Sequence, residues 1–147
     1  VREEFRSKAI PGGAIAFEIT ETQIITHLDK AVAFITALKS LGCRFLLDDF
    51  GSGMSSFGYL KHLPVDYLKI DGLFVKDILT DPIDRAMVNM INEIGHTMGL
   101  ITIAEYVENP EILAHITTLG IDMAQGYGIR RPEELRTSAP VLQVAEG

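Results

Sequence analysis

The chain has 147 residues, of which 47% are hydrophobic and 22% charged, so its composition is that of one globular domain. Its net charge of −7 argues against a nucleic-acid polymer as partner, because such binders present a basic face to phosphates. The single cysteine, Cys43, excludes an internal disulfide framework. The longest apolar runs fall far short of the ~20 residues that span a bilayer, so we expect no membrane contact by this segment.

The first half of the chain alternates strand-like and helical patterns. Residues 14–20 follow a Pro-Gly-Gly turn and are rich in β-formers, which predicts a strand. Apolar residues recur at three- and four-residue spacing over 22–41, which predicts one helix that ends at Gly42. Residues 43–49 predict a second strand, and a short helix is expected over 55–63.

The second half repeats this order. Residues 66–71 predict a third strand, and a longer helix begins at Asp81-Pro82, with a methionine-rich stripe that we expect to pack into the core. The remaining predicted elements are helical turns over 74–79, a strand over 100–104, a helix from Asn109-Pro110 to Gly120, a strand over 121–125 and a brief helix beyond Pro132.

This order of elements indicates a parallel sheet covered by helices. Two architectures fit, a doubly wound sheet and a (β/α)8 barrel. The chain contains about five βα units, whereas a closed barrel needs eight and typically ~250 residues. Either the sheet is open, or the front of a barrel lies outside this sequence.

Polar side chains collect where the predicted strands end. In chain order they are Glu18, Glu21, Asp48, Asp49, Lys69, Asp71, Glu105, Glu108 and Gln125. Because parallel strands share one carboxyl-terminal mouth, we expect these side chains to converge there. Converging carboxylates need a positive partner, and hard oxygen ligands suit Mg²⁺ or Mn²⁺. The adjacent pair Asp48-Asp49 could share two ions, an arrangement common in phosphoryl chemistry.

Several of these residues also have a plainer structural interpretation. Glu21 could simply favour the helix dipole, and Asp48-Asp49 alone could begin a turn. The glycines of Gly51-Ser52-Gly53 are a weak phosphate-binding signal and more often serve backbone geometry. Lys69 is harder to explain in this way, since lysine is rarely buried without a partner.

Five motifs in this order resemble the EAL domain family, which hydrolyses the bacterial second messenger cyclic di-GMP. They are FEITE at 17–21, DDFGSG at 48–53, LKID at 68–71, AEYVE at 104–108 and QGY at 125–127. The resemblance implies a TIM-like (β/α)8 barrel of EAL type, of which about five βα units are present over 1–135, followed by a polar tail over 136–147. It also implies two Mg²⁺ or Mn²⁺ ions and hydrolysis to linear pGpG with water as the nucleophile.

The resemblance further implies a role for each matching residue. The implied metal ligands are Glu18, Asp48, Asp49 and Glu105. The implied catalytic residues are Lys69, which contacts the attacking water, Glu105, which orients it or acts as base, and Gln125 near that water. The remaining implied roles are loop anchoring by Glu21, supporting positions for Asp71 and Glu108, and substrate contact at Gly51, Ser52 and Gly53.

The chain departs from the family pattern at three points, one of which is Gly128-Ile129-Arg130 after QGY, where apolar or aromatic residues are common. It begins downstream of the family's Glu-x-Leu motif and of an asparagine metal ligand, so we expect the C-terminal portion of an EAL domain. Tyr106 stands where the family often has glycine. The alternative function is an inactive EAL module that acts as a cyclic di-GMP receptor or protein-interaction domain. A different divalent-metal barrel enzyme would leave the DDFGSG and QGY spacing unexplained.

The resemblance also implies partners and a location. It implies a homodimer formed through residues 55–63 and 77–84, which include Tyr59 and Ile83, and upstream sensor or GGDEF-type domains. The implied location is the bacterial cytoplasm, either free or as the cytoplasmic part of a membrane-anchored sensor.

Overall fold

Five parallel strands form one sheet, and their order in the sheet is their order in the chain. The structure is a computed structural model that describes residues 11–51 and 57–133. The strands are β1 (Ala16–Thr20), β2 (Arg44–Phe50), β3 (Tyr67–Ile70), β4 (Ile101–Ala104) and β5 (Met123–Ala124). The helices are α1 (Glu21–Thr26), α2 (Leu28–Lys39), α3 (Gly72–Val75), α4 (Pro82–Thr97) and α5 (Pro110–Thr118), with 3₁₀ helices at Gly12–Ala14 and Phe57–His62.

The sequential strand order decides between the two predicted architectures. A doubly wound sheet reverses its strand order at a switch point, whereas here each crossover leads to the next strand without reversal. Right-handed crossovers of this kind place the helices on one face of the sheet. The described residues therefore form five parallel strands, with their connecting helices, of a partial TIM-like barrel, as predicted.

The hydrophobic core lies between the sheet and its helices. Alternate strand residues point into it, among them Phe45, Leu47, Leu68, Ile70 and Ala104, which are all buried in one cluster with helix residues such as Ile35 and Ile91. Because side chains alternate along a strand, the residues between these face the barrel interior. Lys69, between Leu68 and Ile70, is therefore directed away from the helices.

The helix predicted over 22–41 is two helices. The backbone of His27 leaves helical geometry, with φ −148° and ψ 58°, and separates α1 from α2. Ile24 of α1 and Ile35 of α2 are both fully buried in the same core. Apolar spacing alone cannot reveal a change of direction that keeps both segments on the core, and this is why the prediction missed it.

The predicted helix boundaries after β3 also need correction. Residues 74–79 are not a continuous helix, because α3 begins earlier, at Gly72, and already ends at Val75. The Asp71 carboxylate caps its start by accepting the Leu73 N–H at 2.8 Å. The predicted starts of α4 and α5 are confirmed, with Asp81 and Asn109 as N-caps.

The buried stripe of α4 differs in part from the prediction. Val88, Ile91, Asn92 and Gly95 are its buried residues, while Met87, Met90 and Met98 are half-buried at the margins.

The brief helix expected beyond Pro132 and the tail over 136–147 fall outside the described residues. Within residues 11–51 and 57–133, no helix is long and apolar enough to cross a membrane.

Candidate functional site

The predicted site residues lie at the carboxyl-terminal ends of the strands. Glu18 is in β1, Asp48 and Asp49 are in β2, Lys69 is in β3, and Glu105 and Gln125 directly follow β4 and β5. The register places Thr20 of β1 beside Asp48, and Lys69 beside Ile103. All of these positions therefore share one end of the sheet, as expected for parallel strands.

Lys69 is the buried cation at this mouth. Its side chain is 7% exposed, and its Nζ lies 2.5 Å from Glu105 Oε1, 3.2 Å from Asp48 Oδ1 and 3.9 Å from Glu18 Oε2. Burial lowers the pKa of Lys69, but the hydrogen bonds and charges of Glu105 and Asp48 outweigh burial and raise it above its ordinary value. The lysine is therefore a fixed positive charge among three carboxylates.

Three carboxylates at the mouth can hold a metal ion. Asp48, Asp49 and Glu105 each place one oxygen within 4.8 Å of the others. Burial and the charges of Asp48 and Asp71 raise the pKa of Asp49. Burial, together with Asp48, also raises the pKa of Glu105 despite the opposing effect of Lys69. Crowded carboxylates whose charged forms are disfavoured suit a hard divalent cation.

A β-bulge brings two adjacent aspartates to the same mouth. Leu47 of β2 pairs with Leu68 of β3, but Phe50 pairs with Ile70, so β2 contains one extra residue between these pairs. Asp49 lies in this interval with φ 55°, a left-handed conformation that is uncommon outside glycine. Bulges re-aim side chains beside active sites, and this one overrides the alternation that would separate Asp48 from Asp49.

Glu21 supports the turn that follows the bulge. It is 4% exposed, and its Oε2 accepts the Gly51 N–H at 3.2 Å while its Oε1 accepts the Tyr59 hydroxyl at 2.7 Å. Glu21 is the first residue of α1, so the simple helix-dipole interpretation describes its position but does not explain its burial. These contacts support its predicted role as a loop anchor.

Gln125 and Glu108 lie beside the metal-ligand group rather than within it. Together with Glu105, Tyr106 and Tyr127 they line a cavity of about 230 Å³. The backbone fixes Gln125 firmly, since its N–H donates to Ala104 and its carbonyl accepts the Val107 N–H. A substrate group held in this cavity would therefore contact Gln125 and Glu105 together.

Other predicted site residues lie next to the group of three carboxylates, and their roles stay predictions. Glu18 reaches Lys69 but does not belong to the group of three carboxylates. Asp71 caps α3 and acts on the centre through its charge on Asp49. Gly51 is at the end of the described turn, whereas Ser52 and Gly53 fall outside the described residues.

Sequence reasoning missed two contributions to this region. The Tyr59 hydroxyl contacts Glu21, although the two residues are 38 positions apart and no local pattern links them. Tyr106 and Tyr127 are more than half exposed, and both line the cavity. The tyrosine at position 106, where the family often has glycine, was the one signal in the sequence for an aromatic side chain at this cavity.

The family model of the EAL domain matches residues 1–132, and the chain belongs to this family. It is 48% identical over 126 residues to the cyclic di-GMP phosphodiesterase PdeB of Shewanella oneidensis, covering 86% of this chain and 15% of PdeB. The chain thus spans less than a fifth of that relative.

Solved structures show the same relationship. The PaMucR phosphodiesterase in complex with c-di-GMP superimposes with a TM-score of 0.86 at 32% identity, covering 92% of this chain and 55% of that one. The manganese/cy-diGMP complex of Klebsiella pneumoniae BlrP1 gives a TM-score of 0.78 at 28% identity, covering 85% and 32%. The five strands and the helices described above are therefore part of a barrel of EAL type.

Proposed function

We propose that the protein hydrolyses cyclic di-GMP to linear pGpG. The observation that carries the proposal is the burial of Lys69 among Glu18, Asp48 and Glu105, next to an acidic group that suits divalent cations. Support comes from PdeB, named a cyclic di-GMP phosphodiesterase, and from the similar structures that contain c-di-GMP. The acidic chain can bind an anionic ligand here because metal ions offset both charges.

Asp48, Asp49 and Glu105 would hold the ions, which we propose to be two Mg²⁺ or Mn²⁺ ions, with Glu18 as a further ligand. When bound, such ions neutralise a phosphodiester and lower the pKa of a water molecule. Lys69, with its raised pKa, stays protonated and donates hydrogen bonds toward the attacking water or the phosphate. Gln125 lines the same cavity as Glu105 and would contact that water.

The proposal is tested by incubating the full-length protein with cyclic di-GMP and following pGpG by chromatography, first with Mg²⁺ and then with Mn²⁺. Product that forms with metal and disappears on addition of EDTA is the expected result. Retained binding of cyclic di-GMP without any product would overturn the proposal and establish the receptor function instead. Loss of both binding and turnover would leave a protein-interaction module.

The partners in the full-length protein are also proposals. We propose a homodimer that uses residues 55–63 and 77–84, where Ile83 is 71% and Leu79 39% exposed, whereas Tyr59 is half-buried. We place the domain in the bacterial cytoplasm, with sensor or GGDEF-type domains upstream. Sedimentation of the full-length protein at micromolar concentration with ligand present tests the dimer, and a purely monomeric profile would contradict it.

A further inference from the structure

Glu21 connects two parts of the chain beside the candidate metal centre. One carboxylate oxygen accepts the Gly51 N–H at 3.2 Å, and the other accepts the Tyr59 hydroxyl at 2.7 Å. Since Glu21 is 4% exposed, these bonds satisfy a carboxylate that is largely withdrawn from water. The orientation of the carboxylate toward Gly51 therefore depends on what holds its other oxygen.

Gly51 connects Glu21 to the turn that contains the metal-ligand candidate Asp49. Its φ is +102°, and a Cβ added to it would lie 2.8 Å from Ile91 Cδ1 and 3.1 Å from Phe74 Cε2. The Gly51 backbone is thus packed against two side chains and hydrogen-bonded to Glu21. Asp49, two residues earlier, has its left-handed φ of 55° within the same turn. Fixing Gly51 limits the freedom of the bulge that directs Asp49 to the mouth.

Tyr59 is suited to hold Glu21 from the other side. It belongs to the 3₁₀ helix Phe57–His62 and is half-buried. Burial and the adjacent Glu21 raise the pKa of Tyr59 above its ordinary value, so the phenol keeps its proton. The hydroxyl therefore donates and the carboxylate oxygen of Glu21 accepts.

We infer that Tyr59 is a positioning residue for the metal centre. Its hydroxyl orients Glu21, Glu21 holds the Gly51 N–H, and this contact maintains the bulged conformation that presents Asp49. The inference rests on the proposed function to the extent that the centre binds divalent ions, but it does not depend on the substrate.

The variant Tyr59→Phe in the full-length protein tests this inference, because it removes only the hydroxyl. We expect Mn²⁺, titrated by calorimetry without substrate, to bind about tenfold more weakly, as is typical when a support of metal ligands is lost. We also expect the Gly51 amide proton of the metal-free variant to exchange faster with solvent. Tyr67→Phe removes the same group at the amino end of β3 and is the matched control, with Mn²⁺ affinity equal to that of the parent.

A double-mutant cycle separates this role from simple packing. If Tyr59 acts through Glu21, adding Tyr59→Phe to Glu21→Ala changes Mn²⁺ affinity little beyond the loss caused by Glu21→Ala alone. Parent-like Mn²⁺ affinity of Tyr59→Phe, or effects that add fully in the double variant, would overturn the inference. The calorimetric titration contains no cyclic di-GMP, so a failure to hydrolyse it overturns the proposed function alone.

Discussion

The ammonium of Lys69 lies 2.5 Å from Oε1 of Glu105, and both groups have raised pKa values. For the lysine, the surrounding carboxylates stabilise the charged form. For the glutamate, burial and Asp48 disfavour the charged form more than Lys69 favours it. Lys69 is therefore a fixed positive charge, and the neighbouring Glu105 carboxylate binds a proton more readily than an ordinary glutamate. Such a pair can orient a water molecule and accept its proton.

Lys69→Ala should lower the kcat of the full-length protein by about 10²- to 10⁴-fold, the usual contribution of a group that positions or transfers a proton. The loss should persist at saturating Mn²⁺, because the ammonium is not a metal ligand. Steady-state hydrolysis of cyclic di-GMP measures the effect. Lys30→Ala, which removes an exposed lysine from α2, is the control. Near-normal turnover by Lys69→Ala would show that the site is misplaced.

The charged residues at the mouth could be predicted from sequence because their positions depend only on strand order. Glu18, Asp48, Lys69 and Glu105 each fall near the end of an apolar run, and parallel pairing brings such ends together. Five parallel strands in one sheet followed from the same alternation of patterns. The choice of a barrel over a doubly wound sheet did not follow from this alternation, because both architectures use the same local elements.

The details that the sequence did not reveal depend on backbone geometry and distant contacts. The bulge at Asp49 changes the pairing register by one residue, and periodicity has no signal for such an insertion. The break at His27 occurs inside an unbroken apolar pattern. The bond between Tyr59 and Glu21 joins residues whose separation in sequence predicts no contact.

Asp49→Asn should weaken metal binding and stabilise the metal-free protein. The raised pKa of Asp49 means that its charge is disfavoured in the folded state, mainly by burial and then by Asp48 and Asp71. Removing the charge relieves this effect, and asparagine tolerates the left-handed conformation at φ 55°. We expect a higher Tm in EDTA and a lower Mn²⁺ affinity. An unchanged Mn²⁺ affinity would contradict the proposed ligand role, and a lower Tm in EDTA would contradict the view that the Asp49 charge is disfavoured in the folded state.

A matched control for this variant is Asp29→Asn. Asp29 is exposed in the first turn of α2, where its charge favours the helix dipole. This substitution should leave Mn²⁺ affinity unchanged and should not raise the Tm in EDTA. The contrast isolates the effect of charge crowding at the mouth from the general effect of removing one negative charge from an acidic chain.

Asp66 should make the free energy of unfolding depend on pH in the acidic range. Burial raises the pKa of Asp66, but bonds from Lys39, the Phe45 N–H and Arg44 outweigh burial and lower it below its ordinary value of 3.8. The Lys39 and Phe45 bonds measure 2.8 and 2.9 Å. A lowered pKa gives stability that is complete above the unfolded pKa and is lost as pH falls through the folded value.

Asp66→Asn should therefore cost about 1–3 kcal/mol at pH 7, since it removes charge-assisted bonds to a largely buried group. The difference from the parent should stay constant down to about pH 5 and shrink below the ordinary pKa of 3.8. Urea unfolding at a series of pH values measures both quantities. A difference that instead grew on acidification would show that the charged form of Asp66 is not the stabilising one.

Thr102→Val should reduce stability without affecting chemistry, because Thr102 lies at the amino-terminal half of β4, away from the mouth. Thr102 is fully buried, and its Oγ1 lies 2.6 Å from Asn92 Oδ1 and 3.0 Å from Asp122 Oδ2. Valine has nearly the same shape but removes a hydroxyl donor from the buried Asn92 and the exposed Asp122 carboxylate, and the loss at Asn92 should cost about 1–3 kcal/mol. We expect a Tm lower by several degrees and an unchanged kcat at 25 °C. A parent-like Tm would mean that the Thr102 hydroxyl contributes nothing to stability. A lower kcat in folded protein would mean that these hydrogen bonds also affect the geometry of the site at the mouth.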